Sequence, residues 1–198
     1  MGAAEALFIA EGYENASVDA IAARAEVSKR TVYDHFGGKE RLLSAVMADV
    51  TSSLLEAVRR ATREELPDGC DPGPSLLAFT RRVATVTFGS SEYVQFRKLL
   101  AAAGPLRGSV MQELDDPAEL LMERITAFGD TGALHVPNPR RATEHFVALT
   151  FLVALEALDR QQDPDVIDEL LVDGVEAFLR AYGPRSEAGR PRTGASSR

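Results

Sequence analysis

Cysteine is almost absent from this sequence of 198 residues, which contains only Cys70, and tryptophan is absent altogether. A single cysteine cannot form a disulfide within the chain, so a reduced, cytoplasmic location fits the composition. Cys70 lies between Leu66 and Pro74, in a segment rich in proline, glycine and aspartate. In such a segment a passive loop thiol is favoured over a redox sensor.

Long apolar runs are also missing. The longest one extends from Phe146 to Leu155, and it is too short to span a membrane. The first residues do not combine a basic region with an apolar one, so the sequence predicts no signal peptide. We therefore expect a cytoplasmic protein without a membrane partner.

The residue patterns of common enzymes do not occur. The three histidines, His35, His135 and His145, lack metal-ligand spacing with one another or with Cys70. The sequence contains no glycine-rich phosphate loop and no nucleophile elbow. We therefore predict no enzymatic activity, no catalytic residue, no bound metal and no cofactor.

The charge of the chain is negative, but positive charge collects in one short segment. A net charge of -8 argues against a protein that coats nucleic acid indiscriminately. Of the three lysines in the chain, Lys29 and Lys39 lie close together. Between residues 28 and 41 the basic residues Lys29, Arg30, Lys39 and Arg41 outnumber the acidic residues Asp34 and Glu40. Any binding to DNA must come from this local patch.

The stretch from Ser17 to Lys39 predicts two short helices joined by a tight turn, followed by the start of a third. Apolar residues recur at helical spacing after Ser17, whose hydroxyl can cap the first helix. Ser28 can cap the second helix, and Val32 and Phe36, four residues apart, form its inward face. The pattern is typical of a helix-turn-helix.

The opposite face of the second helix carries residue types that suit the major groove of DNA. Arg30 can pair bidentately with guanine, and Thr31 can contact a base edge through its hydroxyl or methyl group. Lys29, Tyr33 and His35 suit phosphate oxygens. An amphipathic helix pair that binds nothing explains the spacing alone equally well.

The segment from Ala3 to Val50 resembles the DNA-binding domain of the TetR family of bacterial transcriptional regulators. The resemblance lies in LFIAEGYENASV, IAARAEVSKRTVYDHF and GGKERLL, and it covers about a quarter of the chain. It implies that Lys29, Arg30 and Thr31 face the groove. It further implies DNA backbone contacts by Tyr33, His35 and Lys39, and helix caps near phosphates at Ser17 and Ser28.

The sequence departs from this family at two points. Relatives usually have further helical turns and a basic arm before the residues that match Leu7 and Phe8, so we expect a short first helix without a phosphate-contacting arm. Gly38 stands where a serine or a similar cap residue is common, and this change should cost only tenths of a kcal/mol.

From residue 39 onward the pattern predicts only helices. A long helix from about Lys39 to Glu65 connects the two halves, and the segment from Pro67 to Pro74 breaks it. Five more helices are predicted, roughly over residues 75 to 88, 91 to 102, 106 to 128, 138 to 161 and 164 to 182. The expected divisions are a DNA-binding domain over 1–46, an effector-binding and dimerisation domain over 47–182, and a disordered tail over 183–198.

The last two predicted helices carry more apolar surface than one core can cover. The first of them contains FVALTFLVALEAL, which is apolar nearly all the way round. Two such helices from each of two copies would form a four-helix bundle, the arrangement that TetR-like proteins typically use. The predicted dimer contacts are Phe146, Leu149, Val153, Ala157, Leu171, Val175 and Phe178. In the alternative, both helices are interior to a monomer.

Aromatic residues and methionines of the second half could line an apolar cavity for a small effector. The candidates are Phe79, Phe88, Tyr93, Phe96, Met111, Met122 and Phe151. Polar contacts would come from Tyr93, Gln95, Arg97, Thr85 or Thr87. Each candidate alone is more often a core residue. The segment GALHVPNPRRATEHFVAL is similar to one common in the ligand-binding domains of AcrR-like and AefR-like members, which implies an effector site.

The sequence therefore predicts an all-α fold. A three-helix DNA-binding domain with a helix-turn-helix precedes a helical ligand-binding and dimerisation domain. The predicted function is that of a homodimeric transcriptional repressor, which binds a double-stranded DNA operator and is released by a small apolar ligand. The alternative is an all-α ligand-binding or scaffold protein whose helix pair does not bind DNA.

Overall fold

The structure is a computed structural model that describes residues 1–88, 90–114 and 116–184. The regular structure of these residues is entirely helical, so the predicted all-α fold is confirmed. The helices are α1 (Gly2–Asn15), α2 (Val18–Arg24), α3 (Lys29–Phe36), α4 (Lys39–Glu65), α5 (Pro72–Phe88), α6 (Ser91–Ala102), α7 (Arg107–Glu113), α8 (Pro117–Asp130), α9 (Pro139–Val147), α10 (Val153–Asp159) and α11 (Pro164–Tyr182). A 3-10 turn (Gly104–Leu106) precedes α7, and a π-helical turn (Ala148–Leu152) joins α9 to α10.

The first helix continues beyond its predicted end, but it bends at the predicted glycine. α1 extends to Asn15, and Gly12 within it has a φ of 77°, a conformation that glycine adopts without a clash of its own Cβ. After the bend, the ring of Tyr13 stacks on that of Phe8, with centroids 6.0 Å apart. Because Phe8 is fully buried, this contact fixes the end of α1 to the N-terminal core.

The N-terminal core is formed by α1 to α4 and is completed by residues from later in the chain. Its buried members include Phe8, Ile21, Val32, Leu43 and Met47 from these four helices. Leu99 of α6, Ala103 and Val110 of α7 belong to the same cluster. α6 therefore packs directly on the predicted DNA-binding domain. The boundary predicted at residue 46 falls inside the continuous helix α4 and stays a prediction.

A second core lies farther along α4. Val58 and Ala61 of α4 pack there with residues of α5, α8, α9 and α11. Its largest buried side chains include Phe79, Ile125, Phe146 and Phe178. α4 thus contributes to both cores, as its predicted connecting role requires.

The helix predicted over 106 to 128 is two helices. The carboxylate of Asp116 accepts a hydrogen bond from the Ala118 amide at 2.9 Å, and Pro117 occupies the first position of α8. Proline at that position suits a helix start and cannot continue a preceding helix. The aspartate and proline therefore divide the predicted helix into α7 and α8.

The helix predicted over 138 to 161 contains the π-helical turn, and α11 passes very close to it. A Cβ on Gly174 of α11 would lie only 2.1 Å from the carbonyl oxygen of Leu149. Only glycine permits this approach, which seats α11 against the turn.

None of the helices within the described ranges is long and apolar enough to cross a membrane. Most of the predicted tail, residues 185–198, lies outside the described residues.

Candidate DNA interface and effector cavity

α3 is fixed at both ends and along its inner face. The Ser28 hydroxyl accepts a hydrogen bond from the Thr31 amide at 3.0 Å. Gly37 ends the helix with a φ of 74°, and its amide donates to the Tyr33 carbonyl at 2.8 Å. Val32 is buried, and Phe36 packs against the N-terminal core. The orientation of the outer face is therefore set by the fold.

Four of the five residues predicted to face the groove are exposed. These are Lys29, Arg30, Tyr33 and His35, whereas Thr31 is half-buried. The side chain of Arg30 is 89% exposed, so its guanidinium is free to meet a base edge. The geometry agrees with the predicted orientation, and contact with DNA stays a prediction.

Two cations on this face have acidic partners. Lys29 Nζ donates to Asp19 Oδ2 of α2 at 2.9 Å, and this hydrogen bond raises the pKa of Lys29 above its ordinary value. Arg30 Nε lies 3.5 Å from Asp34 Oδ2, one turn later on α3. Both pairs are exposed and are therefore weak. The sequence offered no signal for the first pair, since its partners lie on different helices.

The hydroxyl groups of the predicted interface are engaged in helix caps. Ser17 Oγ accepts from the Ala20 amide at 3.0 Å, as the capping prediction requires. Thr31 Oγ1 lies 2.8 Å from Ser28 Oγ. Ser17 and Ser28 are both exposed, so their caps hold α2 and α3 at positions that a DNA backbone can approach.

Lys39 differs from its predicted role. Its ammonium donates hydrogen bonds to the carbonyl oxygens of Tyr13 at 2.7 Å, Ala16 at 3.1 Å and Glu14 at 3.3 Å. It also lies 4.3 Å from the centroid of the Tyr13 ring. The three N–H groups are thus used on the end of α1, which leaves none for a phosphate. The structure corrects the prediction: Lys39 joins the end of α1 to the start of α4 and encloses the helix-turn-helix between them.

An apolar cavity of about 370 Å³ lies in the second half of the chain. Its wall consists of Thr51, Leu54, Leu55, Val58, Val83, Thr87, Tyr93, Phe96, Met111, Leu114, Asp116, Pro117 and Phe151. Phe96 and Leu114 also pack against the N-terminal core. The cavity and the helix-turn-helix domain therefore share side chains.

The predicted effector residues divide into three groups. Tyr93, Phe96, Met111 and Phe151 line the cavity, as does Thr87. Phe79 is a core residue behind the cavity, where its ring meets that of Phe151 at a centroid distance of 6.3 Å. Met122 lines a separate surface depression.

The remaining candidates lie away from the cavity or outside the described part. Gln95, Arg97 and Thr85 are exposed and are not part of the wall. The side chain of Phe88 is outside the part of the chain that the structure describes. The α4 residues Leu54 and Leu55 were missed because their apolar spacing also fits an ordinary core.

The predicted dimer residues also need correction. Phe146, Ala157, Leu171, Val175 and Phe178 are buried in the cores of the chain itself and are not available to a second copy. The helices are apolar nearly all round because two of their sides already face the chain's own core.

Some apolar side chains of these helices remain exposed. Leu149 and Val153 are exposed, as predicted for a contact face, together with Leu152, which is 57% exposed. These three residues have the spacing of one helix face. Val166, near the start of α11, is also exposed.

Comparison with known proteins identifies the N-terminal part. Residues 1–46 match the family model described as bacterial regulatory proteins, tetR family. The HTH-type transcriptional activator FasR of Mycolicibacterium smegmatis is 43% identical over 61 residues, which are 31% of this chain and 28% of that protein. The chain belongs, through its N-terminal domain, to the tetR family of bacterial regulatory proteins, and the resemblance seen in the sequence is confirmed.

The fold of the whole chain is similar to that of solved TetR-type structures. The flavonoid-responsive regulator FrrA has a TM-score of 0.72 and 24% identity, over 93% of this chain and 95% of that one. NalD, the secondary repressor of the MexAB-OprM multidrug efflux pump in Pseudomonas aeruginosa, has a TM-score of 0.63 and 22% identity, over 91% and 92%. These likenesses establish the two-part helical architecture.

Proposed function

We propose that the protein is a homodimeric, DNA-binding transcriptional repressor that a small apolar ligand releases from its operator. The observation that carries this proposal is the outer face of α3, where Lys29, Arg30, Tyr33 and His35 are exposed on a rigidly seated helix. These are the residue types that contact base edges and phosphates. The matching family is one of regulatory proteins.

Within this interface we assign two kinds of contact. Arg30, the most exposed cation, reads a base edge from the major groove. Lys29, Tyr33 and His35 contact phosphates and position the helix. When DNA binds, phosphates displace the carboxylates of Asp19 and Asp34 from their exposed ion pairs. Lys39 supports the interface from behind by holding the end of α1.

We assign the exposed face of Leu149, Leu152 and Val153 to contact with a second copy. Leu152 in particular exposes an apolar side chain on a helix that is otherwise buried. A twofold dimer buries the same face of both chains. It also presents two copies of α3, which can read half-sites about one DNA turn apart in a palindrome-like operator.

The structure offers a physical route from the cavity to α3. α4 and α6 both line the cavity and both contribute to the N-terminal core. A ligand that fits the cavity better when α6 and α4 have shifted favours a conformation with the two α3 helices misplaced for DNA. A preference of ~3 kcal/mol for that conformation weakens DNA binding about a hundredfold.

A gel-shift titration at two salt concentrations tests DNA binding. The purified protein is titrated onto fragments that it has itself enriched from a random DNA pool. We expect binding that weakens steeply from low to high salt, because phosphate contacts release counterions. Failure to shift any fragment at low salt would instead support the alternative of an all-α ligand-binding or scaffold protein.

A pair of double variants assigns the binding surface. Lys29→Ala with Arg30→Ala removes two cations from α3, and should abolish the shift and flatten its salt dependence. Arg60→Ala with Lys98→Ala removes the same charge from exposed positions on α4 and α6. This second pair should leave binding almost unchanged, since net charge alone does not carry the interaction.

The direction of regulation needs its own measurement, because FasR is named an activator and NalD a repressor. In vitro transcription from a promoter that contains the enriched site should decrease when the protein is added. An increase would make the protein an activator and leave its DNA binding intact.

A further inference from the structure

One hydroxyl on the wall of the cavity has no partner within the protein. Thr87, near the end of α5, lines the cavity. Its Oγ1 is buried and forms no hydrogen bond with the described residues. A buried hydroxyl without a partner is unfavourable, so a ligand group that bonds to it gains affinity.

Other threonines in similar surroundings bond to their own helix. Six buried or half-buried threonines donate to the carbonyl oxygen four residues earlier, namely Thr51, Thr62, Thr80, Thr126, Thr143 and Thr150. Thr87 follows Val83 by four residues in the same helix, so the same bond is available to one of its rotamers. Thr87 instead keeps its hydroxyl unpaired at the cavity wall.

The rest of the wall is mainly apolar and carries little charge. None of its described residues is lysine, arginine or histidine. Tyr93 remains a neutral phenol near pH 7, because burial raises its pKa. The one charged wall residue, Asp116, is exposed and accepts a hydrogen bond from the Ala118 amide.

The nearest arginine on α6 is already engaged. Arg97 makes two hydrogen bonds to the carboxylate of Asp159 on α10, one of them 2.7 Å long. Its guanidinium lies 6.0 Å from the centroid of the Tyr93 ring, outside the wall. An anionic ligand would therefore lose its hydration without gaining a cation.

The volume limits the size of the occupant. At about 30 Å³ for each water-sized group, 370 Å³ holds on the order of a dozen non-hydrogen atoms. We infer that the cavity binds a neutral, mainly apolar molecule of about this size, whose single hydrogen-bonding group, a hydroxyl or a carbonyl, bonds to Thr87 Oγ1. This inference rests on the effector cavity of the proposed function and names the class of ligand.

Four probes of one size and shape test the inference. They are β-naphthol, naphthalene, the β-naphthoate anion and the β-naphthylmethylammonium cation, titrated by fluorescence or calorimetry into the full chain near pH 7. We expect β-naphthol to bind most tightly, naphthalene more weakly, and both ions most weakly. Tighter binding of either ion would overturn the neutral class, and so would the failure of every probe to bind.

Substitution at Thr87 tests the anchoring group. Thr87→Val keeps the shape of the side chain and removes the hydroxyl. It should lower the affinity for β-naphthol by about two- to tenfold and leave that for naphthalene unchanged or higher. Thr87→Ser retains the hydroxyl and should retain the preference for β-naphthol. If Thr87→Val changes both affinities equally, or neither, Thr87 is not the anchor.

The effector role is measured separately. Release of the enriched DNA fragment by β-naphthol tests regulation, whereas the affinity difference at Thr87 tests the ligand class. Binding of β-naphthol that depends on Thr87 but does not release DNA would refute the proposed ligand control and leave the present inference standing.

Discussion

Replacing Lys39 by methionine removes an ammonium that holds the end of α1 while keeping an unbranched side chain. The lost contacts are hydrogen bonds to the carbonyls of Tyr13, Glu14 and Ala16, and the contact with the Tyr13 ring. A hydrogen bond to a charged group contributes about 1.5–3 kcal/mol. Because Lys39 is only half-buried, water can reach some of the released carbonyls. We therefore expect the free energy of unfolding to fall by about 2 kcal/mol.

Urea unfolding measures this loss, and the remaining lysines provide controls. Lys98 is exposed on α6, so Lys98→Met should change stability by less than about 0.5 kcal/mol. A Lys39→Met protein as stable as the Lys98→Met protein would refute the role that we assign to Lys39.

The same variant separates positioning from direct phosphate contact. Each phosphate that a lysine neutralises adds about 0.9 to the slope of log affinity against log salt. If Lys39 touched DNA in both copies of a dimer, Lys39→Met would reduce that slope by about 1.8. We predict instead weaker binding to all sequences with an unchanged slope, measured by fluorescence anisotropy at several salt concentrations. A reduced slope would restore the phosphate contact.

Three further substitutions test other parts of the structure. Asp19→Asn frees Lys29 from its ion pair and should tighten binding to every DNA sequence in gel-shift titrations, more than Asp130→Asn, an equal change of charge at an exposed site on α8; equal effects would show that only net charge matters. Gly174→Ala places a Cβ 2.1 Å from the Leu149 carbonyl oxygen and should destabilise the protein by about 1–3 kcal/mol in urea. Gly108→Ala, which meets nothing within 4 Å, should be neutral or stabilising, and similar losses at both sites would contradict the close-packing argument. Leu152→Glu should convert a dimer of twice 21.4 kDa into a monomer of 21.4 kDa in sedimentation, whereas Val94→Glu, at an apolar residue 45% exposed on α6, should stay dimeric. A dimeric Leu152→Glu protein would remove the assigned contact face.

Local signals in the sequence were enough to predict the helix-turn-helix. The caps at Ser17 and Ser28, the inward position of Val32 and the exposed position of Arg30 depend on spacing within a few residues. The bend at Gly12 follows from glycine's freedom at positive φ. Helix α3 could therefore be oriented before any tertiary contact was known.

Contacts between distant segments could not be predicted in this way. Lys39 looks like a phosphate ligand until the end of α1 is placed beside it, 23 to 26 residues earlier in sequence. Phe146 and Phe178 have the apolar character of dimer residues, but the chain's own core already covers them. The wall of the cavity includes α4 residues whose spacing does not distinguish a cavity from a filled core. Hydrophobic pattern shows that a face must be covered and does not show by what.

The most direct test of the central claim compares the DNA fragments selected from a random pool by the wild-type protein and by Arg30→Ala. The claim is that the outer face of α3 reads DNA sequence. Both proteins should select a palindrome-like site, and Arg30→Ala should lose the base preference at one position in each half-site. An identical base preference at every position in the two pools would contradict the claim.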